Sequence, residues 1–195
     1  MIVPQGIPQG IFSLSQLPDS FVAQVFNPNR EMSEEELYAR FLETLPFLVE
    51  MARRAREKAI SWRNFQVGCA LLAFRSTGAL SAGERLRVFT GANMKVAQDV
   101  RTVCAEAIAI GAARAARYDR ITAMVICGTP QKEDGCPAEY PTLHPCRDCR
   151  ALFRALPEVR PNTRIITITP NGETFERYNV AELLESHKDA NGGAT

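Results

Sequence analysis

Thr102-Val103-Cys104-Ala105-Glu106-Ala107 decides how this chain is read, together with a second stretch downstream, His144-Pro145-Cys146-Arg147-Asp148-Cys149-Arg150. Between them they supply three thiols and one carboxylate. Cys104 is followed at once by a strongly helical run, Ala105 to Arg117. Cys146 and Cys149 sit three apart behind Pro145, where a second helix can begin. A Cys-x-x-Cys pair with one distant Cys makes a three-ligand zinc set. Three protein ligands leave the fourth tetrahedral position open for water, as catalytic zinc requires. Glu106, two residues from Cys104, is placed to take the proton of such a water. Cys104 and Cys146 each open a helix, where free N–H groups and the helix dipole favour the thiolate that metal binding demands. A structural zinc site or a dithiol redox pair would use the same Cys-x-x-Cys. A structural site has no need of Glu106, and nothing around Cys146 has the thioredoxin strand–turn–helix context.

Cys104-Ala105-Glu106 with Pro145-Cys146-x-x-Cys149 resembles the zinc signature of the cytidine deaminase superfamily. That signature is (His or Cys)-x-Glu followed by Pro-Cys-x-x-Cys, with the Glu as proton shuttle and not a ligand. The all-cysteine form is similar to the small cytidine deaminases and the blasticidin-S-type deaminases. The likeness extends upstream. Asn64-Phe65-Gln66-Val67-Gly68-Cys69-Ala70-Leu71 resembles the family's first strand, Asn-Phe-x-Val-Gly-Ala-Ala-Leu. Gly91-Ala92-Asn93-Met94-Lys95 falls where the family has Gly-x-Asn-Val-Glu, and Val180 to Leu184 follow its closing Val-x-Glu-Leu-Leu. The resemblance thus covers about residues 47–185.

The resemblance implies an α/β, three-layer fold, with a mixed five-stranded sheet flanked by helices. It implies a Zn2+ cofactor on Cys104, Cys146 and Cys149, with Glu106 as the catalytic carboxylate of a hydrolytic deamination that releases ammonia. It makes Phe65, Asn93, Lys95 and Ala105 the substrate contacts, and Arg150 the compensator of thiolate charge. It also implies a homotetramer or homodimer. Two positions depart from the pattern. Ala107 stands where the family often has an Arg, and Lys95 stands where it has a Glu that holds a ribose hydroxyl. A lysine only donates. The substrate therefore stays open between cytidine, deoxycytidine or a close aminopyrimidine analogue and a nucleotide or nucleoside antibiotic such as blasticidin S.

With 195 residues and a net charge of +1, the chain is long enough for one sizeable domain and lacks the basic excess of a nucleic-acid-binding one. A deaminase of nucleic acid would need a basic groove, for which Arg147, Arg150, Arg154, Arg160 and Arg164 are the candidates. The all-cysteine ligand set and the balanced charge argue against it. There is no apolar run long enough to span a membrane, and the first thirty residues do not read as a signal peptide. Six cysteines without a secretory signal favour metal binding in a reducing, cytoplasmic compartment.

Residues 1–32 read as an extended arm, 33–188 as the zinc domain and 189–195 as a tail. Ser33 with Glu36 forms a capping box. Leu37, Phe41, Leu45, Leu48 and Val49 follow at helical spacing, with Pro46 as a kink and Arg53 to Lys58 as a basic end. Phe65–Phe74 and Arg87–Gly91 read as a hairpin, and Ile121–Cys127 as a third strand. After a long loop come a helix Arg147–Leu156, a strand Arg164–Thr169, a short strand 174–178 and a last helix Val180–Glu185. Cys69 and Cys127 are expected in the core and Cys136 as a free thiol. Trp62 is expected to pack, His144 to cap its loop and His187 to be solvated in the frayed tail.

Overall fold

A computed structural model describes residues 34–76, 86–130 and 140–187. The arm 1–32, the Ser33 cap, Cys136 and the tail 189–195 lie outside the described residues. In chain order the elements are α1 (Glu34–Glu57), β1 (Ile60–Ser61), β2 (Val67–Phe74), β3 (Leu86–Ala92), β4 (Met94–Lys95), α2 (Ala105–Ala115), β5 (Arg120–Gly128), α3 (Arg147–Ala155), β6 (Val159–Ile168), β7 (Phe175–Asn179) and α4 (Val180–Ser186).

Five strands form one mixed sheet in the order β3-β2-β5-β6-β7. β2 runs antiparallel to both β3 and β5, β5 runs parallel to β6, and β7 closes the edge antiparallel to β6. Side chains alternate across a pleated strand, so a strand covered on both faces reads as unbroken apolar sequence. β2 shows this. Cys69, Leu71 and Ala73 pack with Ala109, Ile110 and Phe153 of α2 and α3. Ala70 and Leu72, between them, pack with Phe41, Leu48 and Ala52 of α1. β5 divides likewise, Met124 and Ile126 to one face, Val125 and Cys127 to the other. The expected three-layer α/β architecture is what the chain adopts.

Two glycines set how closely the layers meet. A Cβ on Gly68 would stand 2.1 Å from the Ala52 carbonyl oxygen of α1. A Cβ on Gly91 would stand 2.1 Å from the Ala105 carbonyl oxygen and 2.7 Å from the Ala109 nitrogen of α2. Only glycine lets both helices lie directly on the strands.

Some expectations change. Pro46 neither splits nor ends α1, which is continuous over 24 residues. It sits on the exposed side, where water replaces the bond its ring removes. β6 begins at Val159, five residues before the expected Arg164. Pro161 is tolerated because pairing with β5 is interrupted between Ile121 and Ala123 and pairing with β7 starts only at Arg164. The Thr163 hydroxyl fills the interruption, donating to the Ile121 carbonyl and accepting from the Arg160 N–H. A small parallel pair, β1 with β4, matches Ile60 to Met94 and Ser61 to Lys95, and no periodicity announces it. Among the described residues no helix is long and apolar enough to cross a membrane.

Candidate active site and metal centre

Cys104 is the N-cap of α2 and Cys146 the N-cap of α3, each with extended backbone and no side-chain cap bond. Their thiols are therefore free of helix capping and turn toward each other, 3.5 Å apart at Sγ. Cys149, one turn into α3, completes a trio whose sulfurs lie within 4.8 Å of one another. Tetrahedral zinc with Zn–S bonds of about 2.3 Å sets its sulfurs about 3.8 Å apart. The trio fits such an ion. Among the described residues it is the one cluster of this kind.

The thiols titrate as a unit. Cys146 sheds its proton first. It accepts from the thiols of Cys104 and Cys149 and, against the cost of burial, from the backbone N–H groups of Cys149 and Asp148. Cys104 is pushed far up by its bond to Cys146, and Cys149 by its bonds to Cys104 and then Cys146, and burial adds to both. Bringing all three to thiolate requires a cation between them.

Glu106 lies in the first turn of α2 and is 4% exposed. Burial pushes its carboxyl up to about 7, while its own backbone N–H and the Cys149 thiol pull the other way. A carboxyl poised near neutrality both takes and returns a proton.

These groups floor a pocket of about 390 Å³, within the range of small-molecule sites. Cys104, Ala105, Glu106 and Cys146 form the floor, and Phe65, Val67, Asn93, Leu143 and His144 contribute to the walls. Asn93 is buried. Its Oδ1 accepts from the Val67 N–H at 2.7 Å and its Nδ2 donates to the Phe65 carbonyl at 2.8 Å, so it pins the start of β2. Lys95 reaches the pocket because β4 pairs with β1. Arg150 is buried and donates to the Pro145 carbonyl at 2.7 Å, which braces the turn before Cys146. Arg101, also lining the pocket, pairs with Asp148 at 3.1 Å.

Sequence reasoning missed part of the site. Trp62 does not pack inside. It is 42% exposed at the mouth, with the Arg63 guanidinium 4.7 Å from its ring centre. Asn64, at φ +58°, makes the turn that presents both, a backbone state asparagine accepts more readily than most residues. His187 is buried rather than solvated, and its Nε2 meets His144 Nδ1 at 2.8 Å. His144 Nε2 faces Glu176 at 3.1 Å. A carboxylate only accepts, so His144 carries its proton on Nε2 and receives the His187 N–H on Nδ1. Burial lowers the His144 pKa and keeps the ring neutral, as this arrangement needs. Tyr178 donates to Glu176 at 2.5 Å, the Thr142 hydroxyl bonds it as well, and Tyr140 stacks on His144 with ring centres 4.0 Å apart. The segment leading to Cys146 is thus tied to β7 and to the end of α4. Two isolated histidines 43 positions apart gave no sign of this.

The model of the cytidine and deoxycytidylate deaminase zinc-binding region matches residues 42–161. A cytidine deaminase from Burkholderia pseudomallei superposes with a TM-score of 0.54 at 26% identity, over 70% of this chain and 93% of that one. One from Mycobacterium tuberculosis superposes with a TM-score of 0.51 at 22% identity, over 76% and 98%, a likeness of fold. No curated protein sequence matches the chain.

Proposed function

Because the chain belongs to the family of the cytidine and deoxycytidylate deaminase zinc-binding region, we propose that it is a hydrolytic deaminase of a free aminopyrimidine nucleoside, cytidine, deoxycytidine or a close analogue. In enzyme terms it is a hydrolase of C–N bonds in cyclic amidines. The observation that carries the reading is Glu106, a buried carboxyl beside three convergent thiols on the floor of a nucleoside-sized pocket. Cys104, Cys146 and Cys149 would hold Zn2+, which supplies a Lewis acid that lowers the pKa of a water toward ~7.

Glu106 takes the proton from that water and passes it to the ring nitrogen beside the amine-bearing carbon. The water oxygen bonds to that carbon. Glu106 then shuttles the second proton to the amine, the C–N bond breaks and ammonia leaves. One water is consumed, one ammonia released, and the amine becomes an oxo group. Phe65 and Leu143 shape the walls around the base, and the backbone at Ala105 borders it. The same reading takes the chain as a cytoplasmic homotetramer or homodimer. All five cysteines among the described residues are free thiols, in keeping with a reducing compartment.

The test is ammonia release from cytidine and deoxycytidine by zinc-loaded protein, with Glu106→Gln as control. Release by the wild type that falls by ~10²–10⁴ in the variant, as for the loss of a general acid–base, supports the reading. Release unchanged in the variant overturns it.

A further inference from the structure

We propose that the substrate carries an acidic substituent, a phosphate or a carboxylate, which seats at a cationic rim made by Lys95, Arg63 and Arg101. This rests on the deaminase reading and, within it, moves the preferred substrate from cytidine and deoxycytidine to an acidic close analogue.

The pocket divides into a chemical floor and a charged mouth. On the walls several polar groups are already engaged. Both polar atoms of the Asn93 amide bond the backbone of Phe65 and Val67. The Ser61 hydroxyl accepts from the Phe65 N–H at 3.0 Å. Both ring nitrogens of His144 are turned into the protein, to His187 and Glu176. What remains on the wall for a neutral sugar is the Thr102 hydroxyl, the Ser61 O–H and the second N–H of Asn93.

At the mouth the balance is positive. Among the described residues, three cations line the pocket against two carboxylates. One of these is Glu106, buried on the floor; the other is Asp148, exposed and already paired with Arg101. Lys95 is half-buried, with no carboxylate partner among the described residues. A cation held partly out of water is stabilised by an anion that reaches it. Arg63 is held at the same rim by the face of Trp62, and the surface pair Arg101–Asp148 costs little to open. The base sits at the floor because the thiols and Glu106 are there. The substituent on its far side therefore meets this rim.

Trp62 is the only tryptophan and lines the mouth, so its fluorescence reads occupancy without turnover. The zinc-loaded full chain is titrated with cytidine, cytidine 5′-monophosphate and a cytosine glycoside whose sugar bears a carboxylate. At an ionic strength of about 0.05 M we expect one acid to bind at least ~10-fold more tightly than cytidine, a margin that shrinks with added salt. Lys95→Ala should remove most of the margin and Lys95→Arg should keep it. Arg63→Gln gives the same reading if Lys95→Ala does not fold. The tighter of the two acids identifies the source of the charge. Cytidine binding as tightly as both acids, or a margin that survives the neutral variants, overturns the inference. Ammonia release is scored separately on the same three compounds. An acid preference with no release from any of them sinks the deaminase reading and leaves the rim. Release from cytidine without an acid preference does the reverse.

Discussion

Gly91→Ala ties the fold to the chemistry and makes a severe test. The new Cβ would stand 2.1 Å from the Ala105 carbonyl oxygen and 2.7 Å from the Ala109 nitrogen, where ordinary contact begins at 3.4 Å. Both obstructing atoms are backbone, so no side chain can swing aside. α2 must move off the sheet by on the order of 1 Å, and it carries Cys104 at its cap and Glu106 in its first turn. Overpacking of this kind costs about 1–3 kcal/mol, which lowers the melting temperature by roughly 2–12 °C in a chain of this size. A displacement of about 1 Å at a catalytic group costs roughly 10²-fold in rate. Gly111→Ala, in the same helix, is the control. Its Cβ meets nothing within 4 Å, so it should raise stability by about 0.5–1 kcal/mol and leave turnover alone. Melting curves and initial rates of ammonia release for the two variants measure this. A Gly91→Ala protein with wild-type melting and wild-type rate would show that α2 does not lie against β3 as described.

Four further outcomes are expected. Glu106 accepts a proton only as the carboxylate, which predominates above its pKa of about 7. A cation on the neighbouring thiols favours that charged form. A pH–rate profile should therefore lose kcat/KM about tenfold per unit on its acid side, with its midpoint at or below about 7. Chelation should lower the melting point, zinc should restore it, and a pH-stat should record protons released on uptake, since Cys104 and Cys149 must still ionise. His187→Ala should loosen the segment before Cys146, cost about 1–3 kcal/mol for the loss of the bond at His144 Nδ1 and weaken zinc retention in a chelator competition. In the same cluster, burial pushes Glu176 up, but bonds from Thr142, Tyr178 and His144 outweigh it and hold the carboxyl below its ordinary range. Its stabilising effect is present above the unfolded pKa and is lost as pH falls through the folded one, which acid titration of wild type against Glu176→Gln would reveal.

What could be read from the chain was what has a period or a spacing. β2 and β5 announce themselves because both faces are buried and their sequences are apolar, unbroken in β2 and from Ala123 onward in β5. Cys104, Glu106, Cys146 and Cys149 announce themselves because metal chemistry needs those groups at helix starts. The rest is made by tertiary contact. β1 and β4 are two residues each, too short for any pattern, yet they carry Trp62 and Lys95 to the mouth. His187 stands beside a polar C-terminal stretch, and only the return of α4 against β6 and β7 buries it. Pro46 reads as a point where the helix kinks or splits, because sequence does not say which side of the helix faces water. Asn93 reads as a substrate contact by resemblance; it lines the pocket, and no pattern in the sequence tells that its amide also pins the start of β2.

The spacing of the three thiols has a consequence for the unfolded chain. Two of them lie within one helical turn, and the third is 42 positions away. A metal ion that joins them acts as a reversible cross-link around that loop, across β5 and the segment to α3. Closing a loop of this length restricts the denatured ensemble by about 4 kcal/mol in the chain-entropy account of cross-links. In the native fold Cys104 meets the pair across β5, which lies between β2 and β6, so the third ligand is expected to arrive last. The rate at which refolding protein captures zinc would then clock the docking of α2 against α3, a late event of folding rather than an early one.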